Sequence, residues 1–426
     1  MSTLQFGLTP KMKPLTPNRS VLVAALDVGT SKIACLIGRL KPRPTQDVLR
    51  LRTHSVDVIG FGHTLARGMK AGTVIDLAEA EAAVRQCADL AERTARMQLD
   101  SVIVSVSAGR PTSELISASI EIAGAAIGER DIDRVLTAGS RHSVRPGRAV
   151  LHSLPIGYVL DHAGGISDPR GMLARQFGID MHVVTADASA ARNLMLAIER
   201  CHLDVEAMVT SPYVAGLSAL ADDEADLGAA VIDMGAGTTT IAVFSSGRFV
   251  HADGFGLGGR HVTMDLARGL NARVADAERI KTLYGGVMAG GSDEREAPHF
   301  VSRAKLARII KPRVEEILEM VRDRLATSSF AAEPRGRVVL TGGASQLTGL
   351  PELAARVLGR PVRIGRPLGI GGLPEEAKGP AFAVATGLLV YPQAAHLEHF
   401  EPRRTRHSAT GSGYIARVGR WLRESF

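Results

Sequence analysis

The chain has 426 residues, of which 45% are hydrophobic and 22% are charged, and its formal net charge is +7 at pH 7. A chain of this length is expected to form two or more domains, because a single hydrophobic core stops growing at a smaller size. The excess positive charge lies in residues 1–20 and 401–426, so the neutral body between them argues against nucleic acid as a partner.

After residues 1–20, which are predicted to be a disordered tail, the first element is a β-hairpin. Residues 25–32 read A-L-D-V-G-T-S-K, and a second apolar run follows at 33–37. The turn's glycine lets the backbone approach a phosphate, while its hydroxyl and lysine side chains supply donors and a positive charge. An ordinary hairpin turn, which favours the same residue types, is the alternative. The candidate ligand-binding residues of this turn are Asp27, Gly29, Thr30, Ser31 and Lys32.

The pattern changes in the middle of the chain. Residues 102–106 are apolar apart from one serine and predict a strand that closes the first sheet. From 112 to 183 the sequence predicts short strands (117–122, 149–155 and 157–160) around a helix at 129–140. This segment is therefore predicted to be an α+β insertion in the first lobe.

A second hairpin of the same kind follows about two hundred residues after the first. Residues 231–240 read V-I-D-M-G-A-G-T-T-T and lead into another apolar run. Two such hairpins predict two similar lobes that bind one polyphosphate together. Because Asp27 and Asp233 both end a strand, we expect them to face one Mg²⁺ through its water ligands. The candidate residues of the second turn are Asp233, Gly235, Gly237, Thr238 and Thr239.

Two further segments carry candidate binding residues. Residues 256–335 are predicted to be mostly helical, and within them Glu278 and Lys281 lie one helical turn apart, although this spacing is more often a surface salt bridge. Residues 337–341 predict a strand before a helix that opens at Pro351. The small residues at the end of this strand suit close packing against a flat ring or a phosphate, and they are Gly342, Gly343 and Ala344.

The end of the chain predicts a linker at 392–412 and an amphipathic helix at 413–426. Tyr414, Ile415, Val418, Trp421 and Leu422 share one helical face, and the cations Arg417, Arg420 and Arg423 lie opposite. Such a helix is typical of an anionic membrane surface, and docking on the protein itself or on a partner is the alternative.

The motifs resemble those of the actin-like ATPase superfamily, and within it the FtsA family of bacterial division proteins. Residues 27–32, 233–240 and 341–345 are similar to its phosphate 1, phosphate 2 and adenosine motifs. The similarity runs from about 21 to 426. It includes the segments 277–281, 306–318, 362–365 and 386–389, and the final helix.

This resemblance implies an α/β, two-lobed actin-like fold with duplicated mixed-sheet domains. The expected parts are a tail (1–20), lobe one (21–111 and 184–226, 1A-like), a 1C-like insertion (112–183), lobe two (227–255 and 336–391, 2A-like), a 2B-like subdomain (256–335), a linker (392–412) and a membrane-targeting helix (413–426).

The resemblance also implies a function. The expected protein binds ATP and Mg²⁺, polymerises at the cytoplasmic face of the inner membrane, and tethers FtsZ filaments to the division septum. The 2B-like subdomain is expected to take the FtsZ C-terminal peptide, with Arg303 or Arg313 contacting this acidic peptide near a predicted helix start at Pro312. The insertion is expected to recruit later division proteins.

Hydrolysis is expected to be slow at best. Where ATP-splitting members of the superfamily place a carboxylate or an amide, the corresponding residue here is Ser211, which is a poor general base. Asp233 is the remaining candidate for orienting water. The alternatives are a small-molecule kinase with the same two lobes and an MreB-like shape-determining filament, the second disfavoured by the insertion at 112–183.

Overall fold

A computed structural model describes residues 12, 15, 16, 18–43, 52–141, 144–288, 302–333 and 336–400. Its strands are β1 (Val21–Val28), β2 (Lys32–Pro42), β3 (His54–Leu65), β4 (Met69–Lys70), β5 (Thr73–Val74), β6 (Ser101–Val106), β7 (Thr112–Glu121), β8 (Arg148–Leu160), β9 (Ala163–Ile166), β10 (Gln176–Asp187), β11 (Asp204–Thr210), β12 (Ala229–Met234), β13 (Thr239–Ser245), β14 (Arg248–Phe255), β15 (Arg337–Thr341), β16 (Val362–Ile364) and β17 (Ile370–Gly371). Its helices are α1 (Leu77–Ala95), α2 (Glu129–Ser140), α3 (Ala188–Glu199), α4 (Ser211–Ala219), α5 (Asp222–Leu227), α6 (Gly259–Leu270), α7 (Val274–Tyr284), α8 (Arg303–Ala326), α9 (Leu350–Leu358) and α10 (Ala383–Val390).

The two lobes contain sheets of the same construction, which confirms the predicted duplication. Lobe one has the strand order β11-β6-β1-β2-β3-β17, and lobe two has the order β14-β13-β12-β15-β16. In each sheet the strand of the hairpin that carries the aspartate is antiparallel to its hairpin partner and parallel to the strand on its other side. All six residues of β12 are buried, as expected for a strand covered on both faces.

The insertion is a four-stranded sheet with the order β7-β10-β8-β9, covered by α2. Helix α2 has the predicted bounds, Glu129–Ser140. The two strands predicted at 149–155 and 157–160 are one strand, β8, because its irregular register absorbs Ile156 without ending the pairing with β10. The core of the insertion is separate from the cores of the lobes and includes Val135, Phe177 and Ile179.

The insertion contacts lobe two as well as lobe one. Arg248 of β14 donates hydrogen bonds to Ile156 O and, over 3.0 Å, to Ser167 Oγ. From the other side, His182 bonds through Nδ1 to Phe249 O at 2.8 Å. The insertion therefore bridges the two lobes.

The C-terminal part of the chain returns to lobe one, which differs from the predicted boundary of lobe two at 391. Strand β17 pairs with β3, and α10 packs against α4, β1 and β2. Every residue of α10 is buried, so this helix has to be covered on all sides. The predicted linker also starts later than 392, because Pro392–Ala395 are buried and Phe400 packs on the insertion.

The predicted helix start at Pro312 is wrong. Helix α8 runs over Arg303–Ala326, with Pro312 inside it, and Ser302 caps its first turn by accepting a hydrogen bond from Lys305 N at 3.3 Å. The loss of one backbone hydrogen bond at Pro312 is offset because the apolar face continues through it, from Leu306 to Leu325.

Within the described ranges no helix is long and apolar enough to cross a bilayer.

Candidate functional site

The two predicted phosphate-binding turns meet between the lobes. In the first turn Gly29 N donates to Lys32 O at 2.9 Å, and in the second Gly235 N donates to Thr238 O at the same distance. A Cβ at Gly237 would lie 2.5 Å from Thr30 Oγ1, so only glycine allows the turns to approach this closely. The sequence-predicted pair of turns therefore forms one site.

The two aspartates occupy equivalent strand positions in this site. Asp27 is held by Ser105 of the neighbouring strand β6, whose Oγ donates to Asp27 Oδ1 at 2.6 Å. Asp233 is approached by Gly342, which has a φ of +86° and no room for a Cβ, since that atom would overlap Asp233 Oδ1. The end of β15 thus packs directly on the second aspartate.

The site destabilises negative charge in the absence of a cation. Burial raises the pKa of Asp27, with Lys32 and the Ser105 hydrogen bond opposing this shift. Burial and the charge of Asp27 raise the pKa of Asp233 to about 7. Burial lowers the pKa of Lys32 to about 8, although both aspartates favour its charged form. Two interacting carboxylates in a buried position provide a suitable environment for a divalent cation.

The residues present fit Mg²⁺ better than a metal held by protein ligands alone. Over the ranges that the structure describes, no group of three or more His, Cys, Asp or Glu side chains could hold a metal. Mg²⁺ usually takes one or two carboxylates and completes its shell with water and substrate phosphates. Asp27 and Asp233 supply that number.

Lys32 and Thr30 have partners that the sequence did not indicate. Lys32 Nζ donates to Ala381 O and lies 3.4 Å from the centroid of the Phe382 ring. Thr30 Oγ1 accepts a hydrogen bond from Gly72 N at 2.9 Å. The first turn is therefore contacted by the β4–β5 hairpin and by the segment before α10, while Ser31 is exposed.

The threonines of the second turn divide between two environments. Thr239 is fully buried, donates from Oγ1 to Leu257 O at 2.8 Å and pairs with strands on both sides, so the structure gives it a structural role and not the predicted contact with a ligand. Thr238 borders a cavity of about 600 Å³ between the lobes, which has both polar and apolar lining. Arg110, Arg148 and Asp187 also line this cavity.

Glu278 and Lys281 form more than a surface ion pair. Lys281 Nζ bonds to Glu278 Oε2 at 2.8 Å and to Thr263 Oγ1 at 2.8 Å, and its side chain is only 12% exposed. It also donates to Gly259 O at 3.1 Å, at the first residue of α6. This network joins α7 to the start of α6.

The start of α6 connects this network to the second turn and to the adenosine motif. Gly259 N donates to Gly235 O at 2.9 Å, and Arg260 N donates to Ala236 O at 2.7 Å. A Cβ at Gly259 would lie 3.0 Å from Ala344 Cβ, whereas one at Gly343 would meet no atom within 4 Å. The structure thus brings the third predicted motif to the same site and leaves the surface at Gly343 open.

Sequence reasoning missed Ser105, Thr263 and Gly72 as supporting residues. Ser105 is a polar residue inside an apolar strand and Thr263 a hydroxyl on the buried side of a helix, both of which are detectable signals. No local signal marks Gly72, because its contact with Thr30 depends on tertiary folding. Ser211 is the first residue of α4, is buried, and its Oγ has no hydrogen-bond partner among the described residues.

The two predicted peptide-contacting arginines differ in their surroundings. Arg313 is engaged inside the protein, donating to Asp265 Oδ2 at 2.7 Å and to Glu316. The pKa of Arg313 is raised, mainly by its hydrogen bond to Asp265. Arg303 is exposed at the first turn of α8 and forms no ion pair with any residue that the structure describes. The predicted membrane-binding residues of 413–426 lie outside the described ranges.

Two family models match the chain. The model described as cell division protein FtsA matches residues 230–387, and the model described as the SHS2 domain inserted in FtsA matches residues 108–185. The second match covers the predicted insertion.

Full-length relatives are division proteins. The cell division protein FtsA of Agrobacterium fabrum is 51% identical over 436 residues, covering 99% of this chain and 98% of that protein. The cell division protein FtsA of Escherichia coli K12 is 32% identical over 422 residues, covering 95% of this chain and 98% of that protein.

Solved structures show the fold. The chain matches the PilM–PilN type IV pilus biogenesis complex with a TM-score of 0.61 and 17% identity, covering 88% of this chain and 99% of that chain. MreB5 of Spiroplasma citri bound to ADP matches with a TM-score of 0.51 and 13% identity, covering 89% of this chain and 98% of that chain. The predicted actin-like fold is confirmed.

Proposed function

Because this chain belongs to the FtsA family of cell division proteins, we propose that it is an ATP-binding, actin-like protein that polymerises at the inner membrane and tethers FtsZ filaments to the septum.

The observation that carries the proposal is the meeting of the two turns, each with an aspartate at the end of its strand, between two lobes of the same construction. In this proposal, groups of both turns bind one polyphosphate. The proposed position of adenosine is beside Gly342, Gly343 and Ala344, next to Glu278 and Lys281. The ADP in the MreB5 structure supports a nucleotide as the ligand of this fold.

Asp27 and Asp233 are the residues that would hold Mg²⁺. When bound, this ion neutralises charge on the phosphates and on the two carboxylates. Ser105 orients Asp27, and the close approach of Gly342 fixes Asp233. Ser211 provides no carboxylate for activating water, so turnover is at most slow and Asp233 is the candidate for orienting water. Nucleotide acts mainly by drawing the two lobes together, which biases the assembled state.

ATP binding is tested by calorimetry of the full chain with Mg-ATP. We expect Asp233→Ala to weaken binding at least about tenfold, because the Mg²⁺-facing carboxylate is lost. Glu375→Ala is the matched control, since this carboxylate is exposed and pairs only with Lys378. Equal affinity of wild type and Asp233→Ala for Mg-ATP would show that Asp233 takes no part in binding.

The exposed first turn of α8 is the proposed contact for the acidic C-terminal peptide of FtsZ. Of the two predicted arginines we retain Arg303 as the direct contact. Arg313 is assigned to positioning α8 through Asp265. Lys305 and Arg308 extend the positive surface around Arg303, and neither forms an ion pair with a described residue.

The remaining partners follow from the family. The 1C-like insertion is proposed to recruit later division proteins, and residues 413–426 are proposed to bind anionic lipid at the cytoplasmic face of the membrane. Copies of the chain are proposed to form the polymer, which would strengthen the attachment of individually weak tails.

The kinase alternative is disfavoured by the cavity beside Thr238. A phosphoryl acceptor would need a free carboxylate there to take its proton. The acidic residue that lines this cavity, Asp187, instead caps α3 by accepting hydrogen bonds from Ser189 and from Ala190 N. The match to the inserted SHS2 domain likewise disfavours the MreB-like alternative.

A further inference from the structure

The last ten described residues, 391–400, cross from lobe one to the insertion, and we refer to them as the C-terminal strap. At the start of the strap, Gln393 Oε1 accepts a hydrogen bond from His54 N of β3 at 2.8 Å. At its end, His399 N donates to Ser153 O of β8 at 2.8 Å, and Phe400 packs against the core of the insertion. The chain that leads to residues 413–426 thus leaves from the insertion and not from a free end of lobe two.

The strap is attached to His152, which is completely buried in β8. The Nε2 atom of His152 accepts a hydrogen bond from Thr210 N at 2.9 Å, so this nitrogen carries no proton. The proton is therefore on Nδ1, which donates to Glu398 Oε1 of the strap at 2.8 Å. One imidazole ring joins the strap, the insertion and the last residue of β11.

Aromatic rings from both lobes surround this junction. His152 meets Tyr213 of α4 edge-on at 5.2 Å between centroids, and Tyr213 stacks on Phe249 of β14 at 4.5 Å. Tyr391 OH donates to the same Glu398 oxygen at 2.8 Å. Burial and Glu398 raise the pKa of Tyr391, so its hydroxyl stays protonated and remains a donor.

The junction is also connected to the nucleotide cleft. Thr210 ends β11 and is followed directly by Ser211, the residue at the position of the expected catalytic carboxylate. Strand β11 runs parallel to β6, with Val209 opposite Ser105, and Ser105 holds Asp27. Hydrogen bonds at Ser105 and His152, together with the paired strands β6 and β11 between them, therefore connect the first turn to the strap.

The contact between strap and insertion is incompletely satisfied. Glu398 Oε2 and Ser153 Oγ are buried and have no hydrogen-bond partner among the described residues. A buried carboxylate oxygen without a donor destabilises the seated position, because the same oxygen would be hydrated once released. The end of the strap at Glu398 can therefore leave its place more easily than the part from Tyr391 to Ala395, which belongs to the core of lobe one.

We propose that the end of the C-terminal strap, residues 396–400, is a releasable clamp: seated on His152 it fixes the insertion against lobe one, and it is released when residues 413–426 bind a membrane. This inference rests on the proposed membrane attachment. Between Phe400 and residue 413 the chain spans at most about 45 Å when fully extended, so a membrane bound by residues 413–426 lies within that distance of the end of the strap. Release loosens two parts of the protein together: the insertion, which is proposed to bind a partner, and the backbone at Thr210, which His152 holds.

The first test is hydrogen–deuterium exchange of the full chain in solution. Glu398→Ala removes the clamp, and we expect exchange at least about threefold faster in peptides from residues 148–155 and 204–211. Glu398→Gln keeps an acceptor for His152 and Tyr391 and is expected to behave like wild type, as is the exposed control Glu375→Ala. Faster exchange confined to 391–400, or none at all, would overturn the clamp.

The second test separates the clamp from the proposed function. Wild type and a chain truncated after Gly411 are compared with vesicles of phosphatidylethanolamine and phosphatidylglycerol. We expect wild type to sediment with the vesicles and to exchange faster at 148–155 than it does in solution, and the truncated chain to do neither. Sedimentation without faster exchange overturns the release and leaves membrane binding standing. Failure to sediment contradicts both membrane attachment and release, while the solution experiment still decides whether Glu398 holds the insertion.

Discussion

Asp233 shows how burial at a single residue prepares the cleft for a cation. Its carboxyl group has an ordinary pKa of 3.8, and burial together with Asp27 raises the pKa to about 7 in the folded protein. Between these two values the folded protein keeps a proton that the unfolded chain has lost. Stability in the absence of Mg²⁺ and nucleotide therefore falls as the pH rises from about 4 to about 7.

Replacing Asp233 should reduce this pH dependence, to which Asp27 also contributes because burial raises the pKa of its carboxyl group as well. We expect Asp233→Asn to flatten the fall in unfolding free energy between pH 5 and pH 7, which for one such group is at most about 1.4 kcal/mol per pH unit. Urea unfolding at pH 5, 6 and 7 in the presence of EDTA measures the unfolding free energy of both proteins. Parallel pH profiles for wild type and Asp233→Asn would show that Asp233 is ionised throughout this range.

The sequence indicated the residues that meet between the lobes better than the residues that support them. Asp27, Asp233 and the turn glycines could be proposed because they lie in short contiguous motifs. Lys281 was proposed through resemblance, since its spacing from Glu278 alone indicates a surface pair. His152 could not be found, because a single histidine in a strand says nothing about Thr210 and Glu398, which lie far away in the chain.

At the scale of elements, α8 begins with charges that its own dipole disfavours. Arg303 and Lys305 lie in its first turn, where the helix end is already positive and where no acidic residue is present. Together they form a site that attracts acidic groups. The cost to helix stability is offset by the buried apolar face further along.

This arrangement predicts the effect of reversing a charge on α8. We expect Arg303→Glu to weaken binding of a synthetic FtsZ C-terminal peptide about fivefold or more. The substitution replaces a positive charge that attracts the acidic peptide by a negative charge that repels it. Arg322→Glu, about 28 Å along the same helix, is the matched control. Fluorescence anisotropy measures both, and equal affinities for the two variants would place the peptide elsewhere.

Elements defined by local pattern were predicted, and those defined by distant pairing were not. Helix α2 has its predicted bounds because its apolar spacing and its flanking residues are local. Strand β17 joins lobe one through β3, more than three hundred residues away, and no local signal indicates that partner. The prediction of a helix start at Pro312 was wrong for a related reason. The buried apolar face of α8 outweighs the local preference of proline for the start of a helix.

At the scale of the whole molecule, the insertion connects parts that nucleotide would move. It hydrogen-bonds to lobe two through Arg248 and His182, and to lobe one through His152. Closure of the lobes around a nucleotide would therefore shift the insertion. Because the C-terminal strap is bonded to the insertion, the same closure would shift the start of the segment that leads to residues 413–426.

The central claim is that this actin-like protein links nucleotide-dependent assembly to a membrane through its C-terminal segment. Co-sedimentation with anionic vesicles, with and without Mg-ATP, tests it most directly when the full chain is compared with Trp421→Glu and with the chain truncated after Gly411. We predict that the full chain alone sediments, and more of it with Mg-ATP, because an assembled polymer presents many tails. Equal sedimentation of all three proteins, or of none, would contradict the account.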